Sequence, residues 1–135
     1  MRAISLALWA AGVLEIAVAF SNFALPRRLK YQQNLSQVTP IVRQIFFVHS
    51  GYIVGVVLLF AAITFGFTAE LAGGRGLGRF LAIAMAVFWF CRVPVQLFYY
   101  DPVLRRDNRI GDVAITLALL FLAGTYAVAA FLHAA

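Results

Sequence analysis

Long apolar runs alternate along this chain with short polar ones. Four runs stand out, approximately Ala3 to Leu25, Ile41 to Thr68, Leu77 to Tyr100 and Ile110 to Phe131. A helix rising 1.5 Å per residue needs about 20 apolar residues to cross a hydrocarbon core of about 30 Å, so each run is long enough to span a membrane. Within the runs the periodicity is helical. Leu8, Gly12, Glu15, Ala19 and Asn22 fall on one stripe of span one, and Met85, Trp89, Arg92, Gln96 and Tyr99 fall on one of span three. Span four repeats the pattern with Asp112, Thr116, Leu119, Ala123, Tyr126 and Ala130, at the three- and four-residue steps that keep side chains on one helix face.

The connections sharpen the boundaries. Thr39 before Pro40 predicts an N-cap followed by proline at the first helical position, where the missing N–H costs nothing. The stretch Ala69 to Gly76 is short and glycine-rich and predicts a tight antiparallel hairpin between spans two and three. Pro102 stops span three ahead of the third connection, Asp101 to Arg109. Inside span three Pro94 predicts a kink that bares the Phe90 carbonyl. Gly51 and Gly55 in span two, continued by Ala62 and Gly66, form a small-residue stripe that lets a neighbouring backbone approach. The expected fold class is therefore all-α: a four-transmembrane-helix bundle of up-down topology with short loops, one polytopic domain over residues 1–135.

Composition agrees. The 135 residues are 64% hydrophobic and 12% charged, against about half and a quarter for soluble domains, and the mean hydropathy is +0.92. The formal net charge of +6 does not point to nucleic acid, because the basic residues cluster beside the apolar runs, where they set orientation. The first and third connections with their flanks carry Arg27, Arg28, Lys30, Arg43, Arg105, Arg106 and Arg109, and the opposite side carries Arg2, Arg75 and Arg79. That bias predicts a multi-pass protein of the bacterial inner membrane with both termini outside the cytoplasm. Arg2, an apolar stretch and Ala17-Val18-Ala19 imitate a cleaved signal peptide, but the stretch is too long, contains Glu15 and is followed by dense positive charge, so it reads as a retained span. The single cysteine, Cys91, has no partner for a disulfide.

Polar residues within the spans carry the functional question, because a charged side chain at a helix centre costs about 2.5 to 3.5 kcal/mol to insert. Measured from the ends nearest the first and third connections, His49, Arg92 and Thr116 lie about 9 to 12 Å deep and Glu15 about 16 Å deep. Glu15, His49, Arg92, Gln96 and Thr116 are thus the candidate pocket or buried polar cluster. A Glu15 to Arg92 salt bridge would satisfy the same residues without any chemistry, and Arg92 is long enough to snorkel to the interface instead.

Specific chemistries find little support. His49 and His133 fall at opposite sides of the bilayer, which argues against a bis-histidine haem, and Met85 reads as core filler. No H-E-x-x-H occurs, so no metal site is expected. Ser50 adjoins His49 but points about 100° away, and no G-x-S-x-G elbow is present. Gly73-Gly74-Arg75-Gly76-Leu77-Gly78 lacks the lysine and preceding strand of a phosphate loop. No cofactor is expected.

Arg43-Gln44-Ile45-Phe46 leading into His49, and Arg92 through Gln96 leading into Tyr100-Asp101-Pro102, give the chain a layout that resembles small bacterial four-helix membrane proteins of DoxX-like shape. The resemblance implies an integral membrane protein and carries no catalytic residues over. The leading expectation is a non-enzymatic protein that binds a lipophilic molecule such as a lipid, quinone or isoprenoid, or serves as an accessory subunit of a membrane complex. Its partners would be the bilayer, that ligand, and a second copy or other membrane subunits. The alternative is a small intramembrane enzyme of proton transfer or isomerisation using Glu15, His49 and Arg92.

Overall fold

The computed structural model describes residues 2–28 and 30–132. All regular structure among them is helical. The elements are α1 (Arg2–Arg28), α2 (Tyr31–Asn34), a 3₁₀ turn (Leu35–Gln37), α3 (Pro40–Gly66), α4 (Thr68–Gly73), α5 (Gly76–Pro94), a π-helical turn (Val95–Tyr99), α6 (Pro102–Asp107) and α7 (Arg109–Phe131). The helices α1, α3, α5 extended by its π turn, and α7 are each long and apolar enough to cross a membrane, over Arg2–Ala24, Pro40–Gly66, Gly76–Tyr99 and Arg109–Phe131. They are the four expected spans. The end of the bundle bearing the first and third connections is called here the basic end, and the opposite end the glycine end.

Packing follows the stripes. Leu8, Glu15 and Ala19 of α1, Met85 and Trp89 of α5, and Leu119, Ala123, Tyr126 and Ala130 of α7 are buried, with Val54, Val57, Ala61 and Thr64 of α3 facing them. The backbone of α5 lies along α7 and that of α1 along α3, while α1 also borders α7. The lateral order is therefore α3, α1, α7, α5. Although joined by the shortest connection, α3 and α5 meet chiefly through side chains: the Phe60 ring stands edge-on to Phe88, centroids 4.9 Å apart, and to Trp89 at 6.5 Å.

Three expectations are corrected locally. The second connection is not a bare hairpin. Thr68 Oγ1 donates to the Thr64 carbonyl at 2.5 Å and closes α3, after which α4 forms and buries Leu71 and Ala72 as a plug at the glycine end. Gly74 caps that plug at φ 59°, a left-handed conformation that glycine adopts at no steric cost. Second, Thr39 does precede Pro40 at the first position of α3, but its side chain makes no capping hydrogen bond. Third, Gly51 and Gly55 approach no neighbour within the chain: an added Cβ at either would meet nothing within 4 Å. Span three does change at Pro94, in the form of a switch from α to π winding that ends at an extended Tyr100.

Gly78 makes the glycine end possible. A Cβ there would collide with the Glu70 carbonyl and the Leu71 amide of α4, both backbone, whereas Gly73 has open space around it. Gly78→Ala should therefore lower stability by about 1–3 kcal/mol, as forced overpacking does. Gly73→Ala, in a helical turn, should be neutral or stabilising by about 0.4–1 kcal/mol. Thermal unfolding of the two variants in one detergent checks this, and equal melting temperatures would refute the close approach.

Candidate functional site

The centre of the bundle holds a polar network to which each span contributes one side chain. Glu15 from α1, Thr64 from α3, Trp89 from α5 and Tyr126 from α7 are all at most 2% exposed. Tyr126 Oη donates to Glu15 Oε1 at 2.8 Å and Trp89 Nε1 donates to the same oxygen at 3.2 Å. Thr64 Oγ1 lies 2.6 Å from Tyr126 Oη. Since the tyrosine proton is directed at the carboxyl, the threonine hydroxyl is the donor in that pair, and the order runs from Thr64 through Tyr126 to Glu15. Glu15 Oε2 is buried with no hydrogen-bond partner. Among the described residues no cation contacts this carboxyl, and the ion pair found is Arg105 with Asp112.

A second cluster sits at the basic end. Arg105 grips Asp112 with two parallel bonds, Nε to Oδ1 and Nη2 to Oδ2, both 2.9 Å. Its Nη1 donates to the Leu97 carbonyl at 2.5 Å, and Gln96 Nε2 donates to Asp112 Oδ1 at 2.8 Å. Hydrogen bonding to the carboxylate, then its charge, hold the Arg105 guanidinium above its ordinary pKa. Asp101 Oδ1 accepts from the Val103 amide at 2.8 Å and starts α6 as an N-cap with Pro102 behind it. This cluster ties α6, the π turn and the start of α7 together.

A third group forms the mouth between α3 and α5. Arg92 Nη2 donates to Tyr100 Oη at 3.0 Å, and the guanidinium carbon lies 5.3 Å from the Tyr100 ring centroid. Arg92 Nη1 is buried without a partner. Tyr31 of α2 stands edge-on to Phe46 of α3 at 5.1 Å. Burial first, and the neighbouring Tyr100 second, push the Tyr31 phenol above its ordinary pKa. Phe46, Tyr31, Tyr100 and Arg92 thus run in sequence across the basic end from span two to span three.

The five residues singled out from sequence do not assemble into one pocket. Glu15 belongs to the central network, Gln96 to the Arg105 cluster and Arg92 to the mouth. His49 is exposed and its Nδ1 lies 2.9 Å from the Ile45 carbonyl; a carbonyl only accepts, so Nδ1 carries the proton there. Thr116 donates to the Asp112 carbonyl at 2.8 Å, one turn back on its own helix. Ser50 and Asn22 bond in the same way to Phe46 and Val18 at 2.8 Å. Short polar side chains on a membrane helix take the carbonyl four residues back when it is free to accept, and so need no partner on another helix. Glu15, His49 and Arg92 make no hydrogen bond or ion pair with one another, and the expected Glu15 to Arg92 bridge is replaced by phenol and indole donors. His133, considered above as a haem ligand, lies outside the described residues. Among the described residues no three His, Cys, Asp or Glu side chains gather where they could hold a metal ion.

Sequence reasoning put Trp89 and Tyr126 on the correct stripes without assigning them a role, and it passed over Thr64. Trp89 lies near the depth of Glu15 by residue count, but Thr64 and Tyr126 lie close to the glycine ends of their spans, so depth carried no signal for them.

Four membrane-length helices joined by this buried network define the class as multi-span, all-α membrane proteins. Compared with known proteins, the chain matches no family model, no curated protein and no solved structure.

The network sets an order of stabilities. Interhelical hydrogen bonds in bilayers are worth about 0.6 kcal/mol each and at most about 1.7. Tyr126→Phe, which deletes two of them, should cost about 1–2 kcal/mol. Glu15→Gln, whose amide oxygen still accepts from both donors, should cost less than Glu15→Ala. A double-mutant cycle pairing Glu15→Ala with Tyr126→Phe, read by denaturant unfolding in detergent, should show a coupling of at least about 0.5 kcal/mol. Strict additivity would show the contact to be energetically empty.

Proposed function

We propose that this protein, of DoxX-like layout, is a non-catalytic membrane protein that holds an amphiphile between spans two and three in the basic half of the bundle. The observation that carries this is the uneven filling of the bundle. The buried residues of α3 begin at Val54 and those of α7 at Leu119, and beyond Trp89 on α5 only Gln96 is buried. The inward stripe of α3 continues below Val54 by the same helical steps to Ser50, Phe47 and Arg43. There Phe47 is 41% exposed, and Ser50 and Arg43 are only partly covered. Lipid-facing apolar residues need no explanation in a membrane protein. An exposed stripe that is core one turn further along does need one.

The chemistry of this open half suits an amphiphile. Its walls are apolar and aromatic, its mouth carries Arg92, Tyr31 and Tyr100, and it ends at the buried layer that begins with Val54 on α3 and Leu119 on α7. A few polar groups at one end of an apolar cleft orient a ligand with one polar end. The separation of Glu15, His49 and Arg92 leaves no acid and base facing a common point, which favours binding over turnover.

Native mass spectrometry after extraction in mild detergent tests the proposal. The wild-type chain should retain one amphiphile-sized adduct, and Ser50→Trp, whose indole fills the gap, should lose it without a lower melting temperature. A bare wild-type mass across several mild detergents would overturn the proposal.

Orientation is part of the same proposal: the surplus of Lys and Arg supports a cytoplasmic basic end. In a Cys91→Ala background, Ser36→Cys in the first connection should react with a membrane-impermeant maleimide in inverted vesicles and not in intact cells. Labelling in intact cells would reverse the topology.

A further inference from the structure

We infer that the amphiphile's head carries an oxyanion, and that Arg92 with Tyr100 grips it. This inference rests on the proposal that the open half holds an amphiphile, and it adds the chemistry of the head.

Arg92 is a cation of the mouth that has no counter-charge. Its guanidinium offers five N–H donors, of which one is given to the Tyr100 hydroxyl. Its Nη1 is buried and unpaired. A phenol is a neutral acceptor and leaves the charge uncompensated. Nearby acids are committed elsewhere: Asp112 is taken by Arg105 and Gln96, and Asp101 accepts from its own helix start. Counting Arg92 with the seven basic residues of that end, eight cations face the three acids Asp101, Asp107 and Asp112. The field at the mouth is positive, and an anion gains there what a zwitterionic head does not.

Geometry narrows the choice further. Tyr100 accepts from Arg92 Nη2 and keeps its own hydroxyl proton, so the guanidinium and the phenol bonded to it both have donors left to give. Phosphate and carboxylate oxygens match such a pair, and charge-assisted hydrogen bonds are about twice as strong as neutral ones. Stacking over the Tyr100 ring fixes the plane of the guanidinium before any ligand arrives. The tyrosines Tyr31, Tyr99 and Tyr100 mark the level at which a membrane protein meets lipid headgroups. An anionic lipid placed there has its phosphate at Arg92 and an acyl chain directed into the gap beside Phe47. One ligand thereby accounts for an apolar gap and for the unpaired cation at its opening.

The test compares phosphatidylglycerol with phosphatidylcholine of identical chains, each titrated onto delipidated protein in detergent and counted as bound adduct by native mass spectrometry. Wild type should prefer phosphatidylglycerol by about tenfold. Arg92→Gln should abolish the preference while still binding both lipids at the phosphatidylcholine level, and Tyr100→Phe should weaken it in the same direction. Arg92→Lys, which keeps the charge and loses the fork, should retain part of it. Arg106→Gln, an exposed cation of the same end, should leave the preference intact. An equal fall in Arg106→Gln would mean general surface attraction and overturn the assignment to Arg92. Inorganic phosphate at millimolar concentration should not displace the lipid; displacement by phosphate alone would make the site one for free oxyanions and overturn the lipid assignment. Equal retention of both lipids by wild type refutes the head assignment and leaves the amphiphile site standing, whereas retention of neither refutes both. Should Arg92→Gln fail to give a monodisperse, cooperatively melting protein, Tyr100→Phe decides alone: an unchanged preference in that variant overturns the inference.

Discussion

In a bilayer every polar group must find its partner inside the protein or at the interface, and Glu15 cannot reach the interface. A glutamate near the middle of a span has too short a side chain to snorkel. Its carboxyl must be met by donors from other helices, and here they come from all the other spans: directly from Trp89 and Tyr126, and through Tyr126 from Thr64. Apolar packing gives membrane helices little preference for one another over lipid. The network supplies the direction that packing lacks, because only one rotation of each helix brings its polar group into it: Trp89 and Tyr126 to Oε1, and Thr64 to the Tyr126 hydroxyl. That requirement fixes the azimuth of all four spans and, with it, which residues become the stripes facing inward.

From this point the two ends of the bundle diverge. Toward the glycine end small residues close the structure: Ala11, Ala82 and Ala129 are buried, Gly78 sits against the backbone of α4, and Leu71 plugs the end. Toward the basic end the inward stripe carries larger or charged residues, Arg43, Phe47, Arg92 and Asp112, which cannot interdigitate as tightly. Arg92 bonds to Tyr100, and Asp112 to Arg105 and Gln96, so neither side chain joins the apolar packing. Aromatic rings at that mouth serve as its rim, since a tyrosine is stable with its body in apolar surroundings and its hydroxyl wet.

Much of this was legible in the sequence because two periodicities coincide. Run lengths gave four spans, and the three- and four-residue stripes through Leu8 and Glu15, Met85 and Trp89, and Leu119 and Tyr126 are the buried faces found. Partnership was not legible. Spacing along one helix fixes a face but says nothing about which neighbour it meets, so Glu15 was matched to Arg92 by charge, although arginine is the side chain best able to leave the interior. His49 and Thr116 were drawn into the same cluster by depth alone, whereas each satisfies itself on its own helix. The helix Thr68–Gly73 escaped notice because six residues are too few to show a period, and the glycines around it read as a turn. Gly51 and Gly55 carried a packing motif, yet among the described residues nothing lies within 4 Å of a Cβ added at either.

The placement of Pro94 connects the fold to the open half. Proline brings no N–H, and the winding that follows is π rather than α. The chain leaves helical geometry at Tyr100, so the Leu97 carbonyl has no amide four residues on that could reach it. Such a carbonyl in apolar surroundings requires a donor, and Arg105 Nη1 provides one while the rest of the guanidinium holds Asp112. The end of α5 is thereby fastened to the start of α7. At the other end the Arg79 guanidinium lies 5.6 Å from the Phe131 ring centroid, joining the same two helices again. Spans three and four are held at both ends. Span two is held along α1 and through Thr64, with Phe46 against Tyr31 near its start. Its half before Val54 contributes no buried residue, so that half of α3 is the part of the bundle least tied to the other spans.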